Sequence, residues 1–234
     1  MAKLRWFITG DIHGDLQRIW DFIDKIDIND ENCNIIIAGD AGLCWRHDKQ
    51  DLARNLILHE TKYKTHIYFI DGNHENFKIL KSLLVSEDGI AHISKHIHYI
   101  PRGSRLILNF GEYTKTMLAM GGADSIDKNR RIPGLSWWQE EQITKEDIAE
   151  ITGHFDYVVT HCCPTSIFVE NKIYLCTLNN IIDDSNPEYH ISENRLEELK
   201  QNITFDKWFF GHYHVDLHID NKFQCLFNSF EEIF

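Results

Sequence analysis

Short clusters of aspartate, asparagine and histidine recur along this sequence, each just after an apolar run. The clusters are Asp11 with His13, Asp40, Asn73 with His74, His161, and His212 with His214. Carboxylate and amide oxygens mixed with imidazole nitrogens suit Mn, Fe, Zn, Co or Ni better than Ca or Mg, which prefer oxygen alone. A carboxylate such as Asp40 can bridge two ions. The recurrence therefore predicts a site for two divalent metal ions.

The apolar runs before these clusters are predicted to be β-strands. They cover residues 4–9, 34–38, 66–70, 157–160 and 208–210. Runs rich in branched and aromatic residues indicate strands, and the continuous run 34–38 indicates a strand buried on both faces. Ligands of open α/β sheets bind where the carboxyl ends of strands meet. If these strands are neighbours, the clusters converge on one site.

The order of predicted elements indicates an α/β protein. Residues 1–84 alternate strands with helices at 15–26, 51–63 and 75–84, which predicts parallel strands joined by crossover helices. Short strands at 98–100, 105–110 and 114–120 predict an antiparallel part. Further helices are predicted at 145–151, where Thr144 and Asp147 resemble a capping box, and at 192–200. Asp15, a favoured N-cap residue, is expected to start the first helix. The sequence contains no repeat and no linker-like segment, so residues 1–234 are predicted to form a single domain.

Composition disfavours some partners. A net charge of −12 disfavours a long nucleic acid as partner. A small phosphorylated substrate stays possible because metal ions supply local positive charge. The six cysteines form no CxxC pair and no leader-like segment precedes the first strand, so a cytoplasmic protein with reduced thiols is expected. No apolar run reaches the roughly 20 residues that span a bilayer, so no membrane partner is expected.

In this order the clusters resemble the motifs of the calcineurin-like metallophosphoesterase superfamily. The matching blocks are Asp11-Ile12-His13, Gly39-Asp40, Gly72-Asn73-His74-Glu75, His161 and Gly211-His212-Tyr213-His214. One block alone would be a weak signal, but the ordered set is specific and spans nearly the whole chain. The resemblance implies a four-layer α/β/β/α sandwich of two mixed sheets, with the metals at one rim.

The resemblance also implies roles for individual residues. One ion would be held by Asp11, His13, Asp40 and His214. The other would be held by Asp40, Asn73, His161 and His212. A hydroxide shared by the ions would attack phosphorus, while His74, as the catalytic residue, would protonate the leaving oxygen or stabilise charge on the phosphate. Mn is the favoured cofactor, with Fe, Zn, Co and Ni as alternatives.

The second block departs from the protein-phosphatase and diadenosine-tetraphosphatase branches. Those continue as GDxxDR, whereas Leu43 and Cys44 stand where the second aspartate and the arginine would be. His74 therefore needs another orienting partner, and phosphate needs another cation. The loop that starts at Gly121 resembles a bacterial and phage form and supplies candidates, although a solvated basic loop is the alternative. The candidates are Lys128, Arg130 and Arg131, with Arg46 a weaker one.

The predicted function is metal-dependent hydrolysis of phosphate monoesters or diesters. Hydrolysis of nucleotides or dinucleotide polyphosphates, or of phosphoproteins, are alternatives within that class. A non-catalytic metal-binding scaffold is the alternative from another class, disfavoured because every ligand position is filled. Two other polar groups are expected to stay outside the site. These are His92, His96 and His98, assigned to a sheet edge or loop, and Glu140 and Glu141, assigned to a solvated helix face.

Overall fold

Two six-stranded sheets form the centre of the protein in a computed structural model that describes residues 4–26, 32–44, 57–176 and 190–234. The strands are β1 (Arg5–Thr9), β2 (Cys33–Ile37), β3 (His66–Phe69), β4 (Ala91–His92), β5 (Ile97–Tyr99), β6 (Ser104–Asn109), β7 (Thr114–Met120), β8 (Gly153–Thr160), β9 (Ile203–Phe210), β10 (Leu217–His218), β11 (Phe223–Cys225) and β12 (Phe230–Ile233). The α-helices are Leu16–Lys25, Phe77–Leu80, Lys145–Ile148, Thr165–Leu175 and Ile191–Asn202, and residues 57–62 are also helical.

Both sheets are mixed. The first has the order β12-β1-β2-β3-β5-β4, and its four inner strands are parallel. The second has the order β10-β11-β9-β8-β7-β6, again with four parallel inner strands. The outermost strand on each side is antiparallel to its neighbour. The predicted combination of parallel βα units with an antiparallel part is therefore confirmed.

The apolar side chains of a strand point alternately to its two faces and so pack in separate cores. In β1, Trp6 and Ile8 lie in the core between the sheets, whereas Phe7 lies in the core on the outer face. In β9, Phe209 faces the inner core and Trp208 faces the opposite outer core. This division follows because successive side chains of a strand point to opposite faces.

Helices cover the outer faces of the two sheets. Leu16 and Ile19 of the first helix pack in the outer core of the first sheet. Leu196 and Leu199 of the last helix pack in the outer core of the second sheet. The order of layers is therefore helix, sheet, sheet, helix, which confirms the predicted α/β/β/α sandwich.

The boundaries of several elements differ from those predicted. Strands β8 and β9 begin earlier than expected, because their first halves carry polar residues that a search for apolar runs misses. The helix predicted at 75–84 is only Phe77–Leu80, which Asn76 caps by accepting from two backbone N–H groups. Strands β4 and β12 and the helix Thr165–Leu175 were not predicted. Of the helix predicted at 51–63, residues 51–56 lie outside the described residues.

The capping predictions have mixed outcomes. Thr144 and Asp147 form the expected reciprocal capping box at the start of the helix Lys145–Ile148. Asp15 occupies the N-cap position of the first helix, but its side chain makes no capping hydrogen bond. The predicted N-cap position of Asp15 is therefore confirmed, but its carboxylate does not cap the helix.

Two further findings concern the cysteines and the helices. All six cysteines lie within the described residues, and none of them forms a disulfide bond there. Among the described residues, no helix combines the length and apolar character that a bilayer-spanning segment requires. The cytoplasmic location stays a prediction.

Histidines at one edge of the first sheet form a hydrogen-bonded chain. His66 Nδ1 lies 2.9 Å from His98 Nε2, and His98 Nδ1 lies 2.9 Å from His92 Nδ1. His92 Nε2 lies 2.9 Å from Asp88 Oδ2, so the chain ends on an acceptor. A neutral imidazole has one donor and one acceptor, so every link is satisfied when the three histidines are neutral. His92 and His98 therefore lie at a sheet edge, as expected, whereas His96 is outside this chain and pairs with Glu60.

Acid is expected to destabilise the protein through this chain. Burial and the neighbouring histidines lower the pKa of His98 to about 3. An unfolded histidine titrates near pH 6.5, so its stabilising contribution is complete above that pH and is lost as the pH falls toward 3. The free energy of unfolding, measured in urea from about pH 7.5 to pH 5, should show this loss. The substitution His98→Gln should reduce the pH dependence of that free energy by about one bound proton. His154→Gln, at an exposed site, is the control; equal pH dependence in wild type and His98→Gln would contradict the explanation.

Candidate metal centre

The predicted clusters meet where parallel strands of both sheets end. Asp11 follows β1, Asp40 follows β2, Asn73 follows β3, His161 follows β8 and His212 follows β9. Backbone hydrogen bonds join neighbouring loops, for example from His13 N to Asp40 O at 2.9 Å and from Gly211 N to His161 O at 2.9 Å. The structure thus brings together residues that are far apart in sequence.

Asp11, His13 and His214 form one group of donors. His214 Nε2 lies 3.0 Å from His13 Nε2 and 3.1 Å from Asp11 Oδ2. His13 Nε2 lies 3.7 Å from the same Asp11 oxygen. Ligands bound at about 2.1 Å from one ion lie roughly 3 Å apart. The three donors therefore fit a single divalent cation.

Asp11, Asp40 and His161 form a second, buried group, whose donor atoms lie within 4.8 Å of one another. His161 Nε2 is 3.4 Å from Asp40 Oδ1 and 3.1 Å from Asn73 Oδ1. Its Nδ1 donates to Ala38 O at 2.8 Å, since a carbonyl can only accept. That bond leaves Nε2 directed at the carboxylates, the orientation that a metal-binding histidine needs. This group also fits a divalent cation.

The electrostatics of the second group favour positive charge. Asp11 and Asp40 are each 1% exposed. Burial lowers the pKa of His161, but Asp40 and Asp11 outweigh that effect and raise it to about 9. Burial raises the pKa of Asp40, yet His161 holds it below its usual range. Buried carboxylates that stabilise a cation between them are suited to metal binding.

His212 lies against this second group. Its ring centroid is 4.9 Å from that of His161, and its backbone N–H donates to Asp11 Oδ1 at 2.8 Å. Burial and the nearby His161 lower the pKa of His212 to about 3. Its imidazole is therefore neutral at physiological pH, as a metal ligand must be.

The backbone is left-handed at four of the predicted ligands. Among the described residues other than glycine, positive φ occurs at His13 (46°), Asp40 (45°), His212 (69°) and His214 (53°). This conformation costs roughly 1 kcal/mol or more for a residue with a Cβ. The strain is confined to the loops that direct donor side chains to one place, which is typical of a functional site.

Two glycines of the motifs have a steric role. A Cβ on Gly72 would lie 2.1 Å from Asp40 Oδ1 and 2.7 Å from His161 Nε2. A Cβ on Gly39 would lie 2.1 Å from His161 Nδ1. These distances are far below van der Waals contact, so any side chain at either position would displace the donors. Close approach of the backbone therefore explains why glycine stands beside Asp40 and Asn73.

His74 lies beside the donors, and its ring faces Arg131. Its backbone N–H donates to Asp40 Oδ1 at 2.8 Å, while its Nε2 accepts from Arg131 Nη2 at 2.9 Å. Arg131 also donates to Asn73 O at 3.3 Å and pairs with Asp127 at 2.7 Å. Burial, with a contribution from Arg131, lowers the pKa of His74. Arg131 thus contacts the histidine whose family orienting aspartate is replaced by leucine.

A cavity of about 480 Å³ opens onto these groups. Its polar walls include Asp40, Asn73, His74, Arg131, His212 and His214. Ile126, Leu175 and Phe227 supply apolar surface. Of the three basic residues proposed to bind phosphate, Arg131 lines this cavity, whereas Lys128 and Arg130 do not. Arg46 lies outside the described residues.

Two polar residues of the site were missed by the sequence analysis. Glu141 is 0% exposed, so its assignment to a solvated helix face is wrong. The neighbouring Glu140 does lie at the surface, where it pairs with Lys81. Ser125, which contacts both Asn73 and Glu141, is also buried. No local pattern separates the two glutamates, because a buried charge depends on partners distant in sequence.

Comparison with known proteins agrees with the motifs. Among solved structures, a phosphopantetheinyl hydrolase from Mycobacterium tuberculosis is similar, with 12% identity, a TM-score of 0.48 and coverage of 97% of this chain and 90% of that one. A search of curated protein sequences gives no relative. The family model described as calcineurin-like phosphoesterase matches residues 4–216. Since that match covers most of the chain, the protein belongs to the calcineurin-like phosphoesterase family.

Proposed function

We propose that this protein hydrolyses esters of phosphate with two divalent metal ions, Mn being the favoured one. The convergence of oxygen and nitrogen donors from both sheets on one rim carries the proposal. One ion is held by Asp11, His13, Asp40 and His214. The other is held by Asp40, Asn73, His161 and His212. Donors separated by about 3 Å in the first group, and a pair of buried carboxylates in the second, support this assignment.

The chemistry that bound ions would supply is activation of water for attack on phosphorus and neutralisation of the negative charge of the phosphate. The protein supplies their positions and a source of protons. Asp40 would serve both ions, and its contact with the His74 N–H ties residue 74 to the metal loop. His74 lies on the cavity wall and would give the leaving oxygen the proton of Nδ1, because its Nε2 accepts from Arg131.

A small phosphorylated molecule is the proposed substrate class. The cavity of about 480 Å³ is within the range of roughly 300–1,000 Å³ that is usual for small ligands. The net charge of −12 disfavours a long nucleic acid. Nucleotides and dinucleotide polyphosphates fit this class, and a phosphoprotein remains an alternative to be tested.

Purified protein loaded with Mn tests the proposal directly. We expect hydrolysis of p-nitrophenyl phosphate, of its bis-ester, or of both, and the ratio of the two rates separates a monoesterase from a diesterase. A panel of nucleotides and phosphopeptides then identifies the substrate class. A protein that binds the metal but hydrolyses no phosphate ester would favour the scaffold alternative, and one that binds no metal under any loading condition would contradict the proposal.

Arg131 is expected to bind the phosphate of the substrate. Charge-assisted hydrogen bonds contribute about 1.5–3 kcal/mol, so Arg131→Ala should weaken inhibition by inorganic phosphate about 10- to 100-fold. Inhibition constants measured with p-nitrophenyl phosphate as substrate check this prediction. Arg130→Ala is the matched control, because Arg130 carries the same charge but does not line the cavity. Equal effects of the two substitutions would contradict a specific role for Arg131.

A further inference from the structure

We propose that Ser125 and Glu141 are positioning residues that orient the side-chain amide of Asn73 toward a metal ion. This inference rests on the proposed function, because it takes Asn73 as a ligand. It concerns the loop after β7, to which the motifs assign no metal ligand. The contacts of three buried side chains carry the argument.

Asn73, Ser125 and Glu141 form a continuous hydrogen-bonded path. Asn73 Nδ2 donates to Ser125 Oγ at 3.1 Å, and Ser125 Oγ donates to Glu141 Oε2 at 2.5 Å. All three are at most 4% exposed. Water therefore has little access to replace these bonds, and the loss of one partner leaves another polar group unsatisfied.

The carboxylate at the end of the path sets its direction. A serine hydroxyl has one hydrogen to donate, whereas a carboxylate oxygen accepts. Burial raises the pKa of Glu141 to about 8, against the opposing effects of the Ser125 hydroxyl and Arg131. In its ionised form Glu141 takes the hydrogen of Ser125, which can then only accept from Asn73. The amide NH₂ of Asn73 must then face Ser125, and its oxygen must face the opposite way.

The opposite direction is that of the metal donors. Asn73 Oδ1 lies 3.1 Å from His161 Nε2. A flipped amide would present N–H groups there, and an amide binds metals through its oxygen. The orientation of this amide therefore decides whether Asn73 can act as a ligand.

Glu141 also lies close to the proposed phosphate-binding side chain. Its Oε1 accepts from Trp138 N at 3.3 Å and lies 3.9 Å from Arg131 Nη1. Glutamine at position 141 would retain one acceptor and gain an NH₂ group. If that group faced Ser125, the hydroxyl oxygen would accept from it and would lose the acceptor for its own hydrogen. If it faced Trp138 and Arg131, donors would meet donors.

The backbone of Glu141 is anchored to the strand that leads to Asn73. Arg102 Nη2 donates to Glu141 O at 3.1 Å and to Asp71 Oδ2 at 2.6 Å. Asp71 directly precedes Gly72 and Asn73, so one guanidinium holds both ends of the path at a set separation. The path is therefore built into the fold.

Titration with Mn, followed by calorimetry and elemental analysis, tests the inference without relying on activity. We expect Ser125→Ala and Glu141→Gln each to lower the affinity for one of the two ions about 10- to 100-fold. This is the usual effect of removing a hydrogen-bond partner of a metal ligand. Asn73→Ala should lower the affinity for the same ion. Glu140→Gln is the control, because it removes the same charge from the neighbouring residue, whose side chain pairs with Lys81 at the surface.

Three results would count against the inference or its basis. Unchanged affinity for both ions in Ser125→Ala would overturn the positioning role, and this variant removes a single oxygen even if Glu141→Gln disrupts the fold. An equal loss of affinity for both ions together with a lower Tm would also overturn the positioning role, because that result would indicate a merely structural role. Binding of fewer than two ions by the wild-type protein would instead overturn the two-metal proposal itself.

Discussion

Asp40→Asn is expected to lower kcat/KM for phosphate-ester hydrolysis by more than about 100-fold. Loss of a residue that only hydrogen-bonds to a metal ligand already lowers metal affinity or activity about 10- to 100-fold, and Asp40 is proposed to be a ligand itself. Asp40 is buried, and its carboxylate is the donor proposed to serve both ions. Asparagine has nearly the same shape, so Oδ1 can still accept from the His74 backbone N–H. The substitution therefore removes charge and bridging capacity while it leaves the local packing intact.

Measurement of bound metal together with steady-state kinetics checks the Asp40 prediction. The variant should retain at most one ion under conditions where the wild type retains two. Asp15→Asn is the control, because Asp15 is an exposed aspartate of the neighbouring loop. Full activity with full metal content in Asp40→Asn would rule out the bridging role.

His74→Ala is expected to lower kcat by about 100- to 10,000-fold, the usual contribution of a general acid. Metal content should remain close to that of the wild type, because the contact of residue 74 with Asp40 is made by the backbone N–H. The two large predicted effects therefore differ in kind. Asp40→Asn removes metal, whereas His74→Ala removes a proton donor.

Substrates with different leaving groups separate the two possible roles of His74. A proton donor matters most when the leaving oxygen is strongly basic, so the loss should be larger for an alkyl phosphate than for p-nitrophenyl phosphate. A residue that only stabilises phosphate charge would cause the same loss with both. His154→Ala, at an exposed position remote from the motifs, is the control. Unchanged kcat in His74→Ala with both substrates would exclude a catalytic role.

Much of the fold was predictable because runs of apolar residues and the spacing of capping residues indicate strands and helix starts locally. Residues 34–38 predict a strand buried on both faces, and β2 is buried at every position. The capping box of Thr144 and Asp147 was readable from spacing alone. The first half of β9 was not, since its exposed polar residues resemble a loop until β8 pairs with them. Strand β12 was missed for a related reason, because a short strand at a sheet edge is only half buried.

The sequence by itself determined the inventory of the site. Asp11, Asp40 and His161 stand just beyond apolar runs, and strand ends gather at one edge of a sheet, so their meeting followed from local pattern. Only the tertiary structure decided how the site is completed. It brought Arg131 to His74, and it buried Glu141 while it left Glu140 at the surface. Neighbouring glutamates look alike in a sequence, and the partners that make burial of a charge tolerable come from other loops.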